Sequence, residues 1–116
     1  MMSAMEPKLK ARLSVQAQIR ACTAVGITAT VARRGDPDAG AILLKINQGA
    51  AGCRVFTQMR DSQGQLGWMR GTGPELVGEA EADAYIARQV DRDYDLWVVE
   101  IEDRSGQPPI NGAIIG

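Results

Sequence analysis

The sequence predicts one α+β domain, in which a mainly antiparallel sheet of five to six strands carries two helices on one face. Three observations support this prediction. The chain has 116 residues, of which 45% are hydrophobic, so one self-supporting core fits its length. Several short segments alternate apolar and polar residues between glycine-rich turns, and two longer segments have helical spacing. The predicted order is β-α-β-β-β-β-α-β over residues 1–107, followed by a Pro/Ile-rich tail over 108–116.

The first strand and the first helix are predicted from the segment that ends at Gly26. Lys8–Leu13 alternates apolar and basic residues, which favours a short strand. Ser14 can cap a following helix, and the apolar residues that recur at helical spacing are Val15, Ile19, Cys22 and Val25. The alternative is one helix over Pro7–Val25. Because that helix would point Leu9 and Leu13 away from the apolar stripe, we prefer a strand followed by a helix.

Four strands with hairpin-length connections are predicted in the middle of the chain. Alternation and turn residues place them at Ile27–Arg33, Ala41–Asn47, Cys53–Asp61 and Leu66–Arg70. The turn Gly35–Gly40 should join the first two as an antiparallel hairpin.

The last helix and strand differ in how their apolar residues are spaced. Glu79–Asp91 has one apolar side and acidic residues in its first turn, which predicts an amphipathic helix. Leu96–Ile101 is almost continuously apolar, which is typical of a central strand. The prolines in Gln107–Gly116 interrupt any strand there, so this segment is either a docked tail or an exposed, adhesive one.

Composition excludes several classes of function. Thirteen basic and fourteen acidic residues leave a net charge of −1, which disfavours non-specific binding to nucleic acid or anionic lipid. The absence of histidine excludes Ser-His and Cys-His catalytic pairs. No apolar run could span a bilayer and no signal peptide is evident, so we expect a cytoplasmic protein that keeps both cysteines reduced and buried. We expect no cofactor and name no catalytic residue.

Two segments are similar to a known family. They are Arg33-Arg34-Gly35-Asp36 with Ala39–Ile42, and Asp93–Asp103 with its Asp-Leu-Trp-Val-Val-Glu-Ile-Glu-Asp run. In this combination the chain resembles the bacterial family named domain of unknown function 1491 from about Leu13 to Asp103. The resemblance implies a small, single-domain bacterial protein of the cytoplasm, and it brings no established activity whose residues could be carried over.

The turn between the first two middle strands is a candidate anion site. Arg33 and Arg34 precede Gly35, and Gly40 closes the turn, so guanidinium groups and backbone amides could hold a phosphate or carboxylate. The alternative, which we favour, is a hairpin turn with solvated arginines.

The end of the last strand is a candidate metal site. Glu100 and Glu102 share one strand face and Asp103 follows, so their oxygens could bind Mg²⁺ or Ca²⁺. We favour the alternative that these acids pair across the sheet with a basic residue, one of Lys45, Arg54, Arg60 or Arg70.

Basic residues of the third and fourth middle strands are a candidate nucleic-acid surface. Arg60 and Arg70 lie near Trp68 in sequence, and aromatic residues beside them could stack bases, with Arg54 as a further basic residue of the surface. Burial of Trp68 and Trp97 in the core is the alternative that we favour.

These observations favour a non-enzymatic binding or assembly protein, whose apolar edges and tail would support a homodimer or contact with another protein. The alternative is a binder of a small anion or of single-stranded nucleic acid. A carboxylate-based, metal-dependent enzyme is the third hypothesis. We expect no membrane partner, and the charge balance disfavours nucleic acid.

Overall fold

The computed structural model describes residues 10–115, which form two α-helices, a short 3-10 turn at Gly49–Ala51 and six strands. In chain order the elements are α1 (Ala11–Ala24), β1 (Thr28–Arg33), β2 (Ile42–Asn47), β3 (Cys53–Arg60), β4 (Leu66–Arg70), α2 (Glu79–Arg92), β5 (Trp97–Glu102) and β6 (Ala113–Ile115). The predicted α+β class and the four middle strands are confirmed.

All six strands form one sheet in the order β1-β5-β2-β3-β4-β6. The pairs β2/β5 and β4/β6 are parallel and the other three are antiparallel. The sheet is therefore mixed, and the prediction of a mainly antiparallel sheet in sequence order is wrong. The expected hairpin between the first two middle strands is also wrong, because β5 lies between β1 and β2. The apolar β5 segment suits this central place, as predicted.

The two helices pack on opposite faces of the sheet, which corrects the prediction that they share one face. Leu44 and Ile46 of β2 belong to the core cluster that contains α1, whereas Leu43 belongs to the cluster that contains α2. Since β2 and β5 are apolar on both faces, each face needs its own cover.

The N-terminal segment is helical where the structure describes it. Alternation in the sequence predicts Lys10–Leu13 as part of a strand, but α1 begins at Ala11. This result is closer to the alternative prediction of one helix over Pro7–Val25. The buried stripe of this helix is Ala11, Val15, Gln18 and Cys22. Leu13 points away from that stripe and stays partly exposed, a tolerable position for one apolar side chain. Lys8 and Leu9 lie outside the described residues.

The C-terminal segment docks onto the α1 face, so the docked alternative for the tail is confirmed in its described part. Gln18 of α1 donates to the Pro109 carbonyl and accepts from the Asn111 amide, and the Trp68 indole donates to the Asn111 carbonyl at 2.7 Å. After the prolines the chain recovers extended geometry and β6 pairs with β4. A Cβ on Gly67 would lie 2.9 Å from the Ala113 carbonyl oxygen and would overlap the Ile115 side chain, so the close approach of β6 favours glycine.

Candidate functional site

An ion-pair cluster under α2 is the most strongly charged part of the interior. Lys45 lies in β2, and its side chain is only 5% exposed. Its Nζ donates to Glu79 Oε2 and Asp83 Oδ1, both at 2.8 Å, and lies 3.5 Å from Glu100 Oε1. The acids are brought together by two simple spacings. Glu79 and Asp83 are four residues apart on one side of α2, and Glu100 is the parallel partner of Lys45 on β5.

The cluster keeps Lys45 charged. Burial alone lowers its pKa, but hydrogen bonds to Asp83 and Glu79 and the charge of Glu100 outweigh burial, so the pKa of Lys45 is raised above its ordinary value. The ammonium group thus occupies the space among three carboxylates where a cation would otherwise bind. Asn47 adds longer contacts at 3.3 Å to Glu79 and Glu100.

The three residues of the candidate metal site separate in the structure. Glu100 joins the Lys45 cluster, which agrees with the alternative that it pairs across the sheet. Glu102 is exposed at the end of β5, and the Asp103 carboxylate accepts from the Ser105 hydroxyl. Within residues 10–115 no group of three His, Cys, Asp or Glu side chains could hold a metal ion.

Sequence reasoning missed Glu79 and Asp83. The available signal was Lys45 itself, the one charged residue of the β2 segment Ile42–Asn47, together with the i, i+4 acids that begin α2. A lysine in a buried strand requires an acidic partner, which made these acids candidates, but their spacing does not show which face of the sheet α2 covers.

The two arginines of the candidate anion site contact the protein itself. Arg33 donates to the carbonyls of Tyr94 at 2.9 Å and Leu96 at 2.6 Å. The Arg34 guanidinium lies 6.0 Å from the centre of the Trp97 ring, within cation–π range. These contacts fasten the loop after β1 to the chain before β5.

The glycines and amides of this loop are also used internally. A Cβ on Gly35 or Gly40 would lie about 2 Å from the Asp95 carbonyl oxygen, so close packing requires both glycines. The Asp36 carboxylate accepts from the amides of Asp38 and Ala39 at 3.1 and 2.7 Å. The Asp36 carboxylate therefore binds the backbone amides of this loop, which the sequence pattern had suggested as donors to a bound anion.

The three arginines of the candidate nucleic-acid surface share one face. Strand alternation and register place Arg54, Arg60 and Arg70 on the α1 side of the sheet, and α1 adds Arg12 and Arg20 without any acidic residue of its own. Arg54 donates to the Pro74 carbonyl and Arg60 to the Gly64 carbonyl, and Arg70 also has a contact within the protein.

The aromatic residues do not accompany these arginines at the surface. Trp68 and Trp97 are each 3% exposed, which confirms the alternative that they belong to the core. Stacking of bases on either indole is thereby blocked.

The free edge of β1 is the longer of the two sheet edges. Within residues 10–115, β1 has six residues and pairs only with β5, whereas the opposite edge strand, β6, has three. Four of its side chains are exposed, namely those of Thr28, Thr30, Val31 and Ala32. A groove of about 190 Å³ lies between Val31 of β1 and α1. Its apolar lining residues are Val15, Ile19, Val31 and Trp97, and its polar ones are Arg12, Gln16 and Arg34.

The cysteines are buried thiols, as predicted. Cys22 is on the buried side of α1 and Cys53 is on the α2 side of the sheet, in different core clusters, so they are not bonded to each other. Burial raises the pKa of both thiols, which keeps them protonated and poorly nucleophilic.

No helix within residues 10–115 is long and apolar enough to cross a bilayer.

Comparison with known proteins gives one family. The model of the family described as "protein of unknown function (DUF1491)" matches residues 9–111. No curated protein matches the chain.

Three solved structures are similar. The crystal structure of a DUF1491 family protein from Caulobacter crescentus has a TM-score of 0.83 and 36% identity, and the match covers 93% of this chain and 100% of that one. An NMR structure of a DUF1491 family protein from the same organism has a TM-score of 0.81 and 35% identity, covering 96% and 100%. The solution structure of protein Atu0922 from A. tumefaciens has a TM-score of 0.69 and 27% identity, covering 84% and 87%.

Proposed function

The chain belongs to the DUF1491 family, and on that premise we propose that it is a non-enzymatic assembly module of the cytoplasm, which forms a homodimer through the free edge of β1. The single observation that carries this proposal is the unprotected character of that edge. An edge strand presents a row of N–H and C=O groups that can pair with another chain. Most edge strands have features that prevent such pairing, such as proline, lysine or a β-bulge.

β1 has few of these protective features. Its sequence Thr-Ala-Thr-Val-Ala-Arg contains no proline or lysine, and its one charge, on Arg33, is directed at the carbonyls of Tyr94 and Leu96. A register shift between Val31 and Arg33 distorts only the end of the strand. Thr28–Val31 is therefore a regular, uncharged edge of β-branched and small residues.

Two copies of this edge fit one another by symmetry. Antiparallel pairing of β1 with the same strand of a second copy places a two-fold axis at the strand centre and joins the two sheets. With the axis at Thr30, Thr30 lies opposite Thr30 of the second copy and Thr28 lies opposite Ala32. Exposed Val31 lies opposite Ala29 on the α1 side, where it gains apolar cover.

The internal use of the ionisable clusters supports a non-enzymatic role. Lys45 neutralises the acids beneath α2, and Asp36 uses the loop amides. Within residues 10–115 no fully buried side-chain nitrogen or oxygen lacks a hydrogen-bond partner. Such satisfied clusters stabilise a fold, whereas a catalytic group needs a perturbed and accessible environment.

Sedimentation velocity over a range of concentrations tests the dimer. We expect a dimer for the wild type and a monomer for Val31→Lys, which places an ammonium group on the β1 edge. Ile114→Lys is the matched control, because Ile114 is similarly exposed on the opposite edge strand. A wild type that stays monomeric at about 0.1 mM, or dissociation by the Ile114 variant alone, overturns the proposal. Circular dichroism verifies that each variant folds.

Oxidative cross-linking tests the pairing itself. Both native thiols are buried, so Thr30→Cys adds one accessible thiol at the centre of the edge. We expect this variant to form a disulfide-linked dimer, and we expect Thr23→Cys, exposed on α1, to form much less. Equal cross-linking of the two variants contradicts pairing through β1.

The second candidate function is binding of a small anion on the α1 side. Arg54 and Arg70 are near neighbours on that side, because Arg70 is the partner of Phe56, whereas Arg60 lies about 20 Å from Arg54 along β3 and would bind an anion separately. The buried tryptophans favour a small anion over single-stranded nucleic acid. Titration with inorganic phosphate at low salt, followed by NMR, tests it. The triple Arg→Gln variant of these residues should lose binding, and a variant with Arg88→Gln and Arg92→Gln on α2 should keep it. Binding that is absent, or lost equally in both variants, refutes this candidate. A labelled single-stranded oligonucleotide that binds more tightly than phosphate refutes the preference for a small anion.

A further inference from the structure

A second concave surface lies away from the β1 edge, at the other side of the N-terminal end of α1. It is a cavity of about 380 Å³ between that helix end, the loop before β2 and the hairpin of β3 and β4. Its volume is within the range of small-molecule sites, which is about 300–1,000 Å³.

Small side chains create the space. Ala11, Ala39, Gly40 and Ala41 contribute to its lining, and a larger residue cannot replace Gly40 because a Cβ there would lie 2.2 Å from the Asp95 carbonyl oxygen. The loop is held against the helix, since the amides of Ala11 and Arg12 donate to carbonyls of the loop. The concavity is therefore built into the packing of α1 on the loop.

Two opposite charges border this cavity. Arg60 lines the cavity and donates one N–H to the Gly64 carbonyl at 2.7 Å, so the other N–H groups of its guanidinium can bind a carboxylate. Asp38 lies in the loop, and its carboxylate is 70% exposed, with Lys10 at 3.7 Å as a weak partner. An anionic group and a cationic group of one ligand can thus be bound at the two sides.

The other residues that line the cavity are uncharged. Gln58 Oε1 accepts a hydrogen bond from the Ile42 backbone amide at 3.2 Å. The side-chain NH₂ group of Gln58 therefore remains as a donor for a ligand. The Ser14 hydroxyl is another polar group in the lining, and Ile42 and Leu66, which lie on the same face of the sheet as Arg60, supply apolar contact. The lining therefore combines charged, uncharged polar and apolar groups.

We propose that this cavity binds a small zwitterion with an apolar side chain, such as a free amino acid of the size of leucine. Its carboxylate contacts Arg60 and Gln58, its ammonium group contacts Asp38, and its side chain packs on Ile42 and Leu66. This site is independent of the proposed dimer, because its residues are not on β1.

NMR titration of the full, ¹⁵N-labelled chain with leucine tests the proposal. We expect saturable shifts of the Gly40, Gln58 and Arg60 amides, and at least about tenfold weaker binding of 4-methylpentanoate, which lacks the amine, and of isopentylamine, which lacks the carboxylate. If no ligand of the three gives saturable shifts up to about 20 mM, or if 4-methylpentanoate binds as tightly as leucine, the proposal is overturned.

Substitutions of Arg60 and Asp38 test whether these two residues bind the charged groups of leucine. Arg60→Gln and Asp38→Asn should each weaken leucine binding at least about tenfold. Arg54→Gln is the matched control, because Arg54 lies on the same strand and the same face but outside the cavity, and it should bind leucine as the wild type does. Unchanged binding by Arg60→Gln, or an equal loss in Arg54→Gln, contradicts the assignment. The amide spectrum of each variant shows in the same experiment whether it is folded.

Discussion

Replacement of Lys45 by methionine tests whether the ion-pair cluster holds α2 on the sheet. Methionine keeps much of the length and the apolar stem, so the change removes the charge with little loss of packing. Removal of one partner of a fully buried ion pair costs about 3–5 kcal/mol, and an exposed pair contributes about 0–1 kcal/mol. Here the cation is buried, but the Glu79 and Asp83 side chains are 58% and 57% exposed and can be rehydrated when it is lost.

We therefore expect Lys45→Met to lower the free energy of unfolding by about 2 kcal/mol, between those limits. For a chain of this length that loss lowers Tm by about 8 °C. Urea denaturation followed by tryptophan fluorescence measures it, since both indoles are buried in the native state. Glu79→Gln or Asp83→Asn alone should cost less than about 1 kcal/mol, because Lys45 keeps its other partners.

The matched control is Lys10→Met. Lys10 and Asp38 form an exposed ion pair at 3.7 Å, so this variant should stay within about 0.5 kcal/mol of the wild type. Two results would refute the reasoning. One is a Lys45→Met protein as stable as the Lys10→Met protein, and the other is a single acid variant that costs more than the loss of Lys45.

Three further outcomes follow from the same contacts. Because the folded-state pKa of Lys45 is raised, its stabilising contribution is present below its ordinary pKa of 10.5 and is lost as pH rises through the folded value. The unfolding free energy should thus fall more steeply above pH 10.5 in the wild type than in Lys45→Met, and parallel curves would contradict this. Gly40→Ala should lower stability by more than about 2 kcal/mol in urea denaturation, since its Cβ would overlap the Asp95 carbonyl, and a neutral effect would show that the loop can move. Gly67→Val should displace Ile115 and detach β6, which hydrogen exchange of the C-terminal amides detects, and unchanged protection would contradict it.

Alternation in the sequence predicts which side chains share a strand face, but it does not predict which strands are neighbours. This is why β2, β3 and β4 were placed correctly while β5 was not inserted between β1 and β2. The consecutive apolar residues Leu43 and Leu44 signal cover on both faces, and they could have indicated helices on opposite sides. Over Lys10–Leu13, four residues are too few to separate a strand period from a helix period.

The candidate site was predictable to the extent that it depends on local spacing. Glu100 could be singled out as an acid in a buried strand, and Lys45 was among its possible partners. Glu79 and Asp83 could not be added in the same way, because their approach to Lys45 depends on the face of the sheet on which α2 packs. The face on which α2 packs is determined by the packing of the whole core, so no single segment of the sequence predicts it.

The position of Lys45 also explains how a helix with little apolar burial keeps a defined place. Among the residues of α2 only Ala82 is fully buried, while Tyr85, Ile86 and Val90 are half-buried against the same core. Glu79 and Asp83 stand three residues before and one residue after Ala82, and both reach the same ammonium group. Because charge-assisted hydrogen bonds require defined distances and directions, these two contacts add directional constraints to the apolar packing and to the Tyr85–Thr57 hydrogen bond. A polar cluster that could have been mistaken for a ligand site thus positions the helix that covers it.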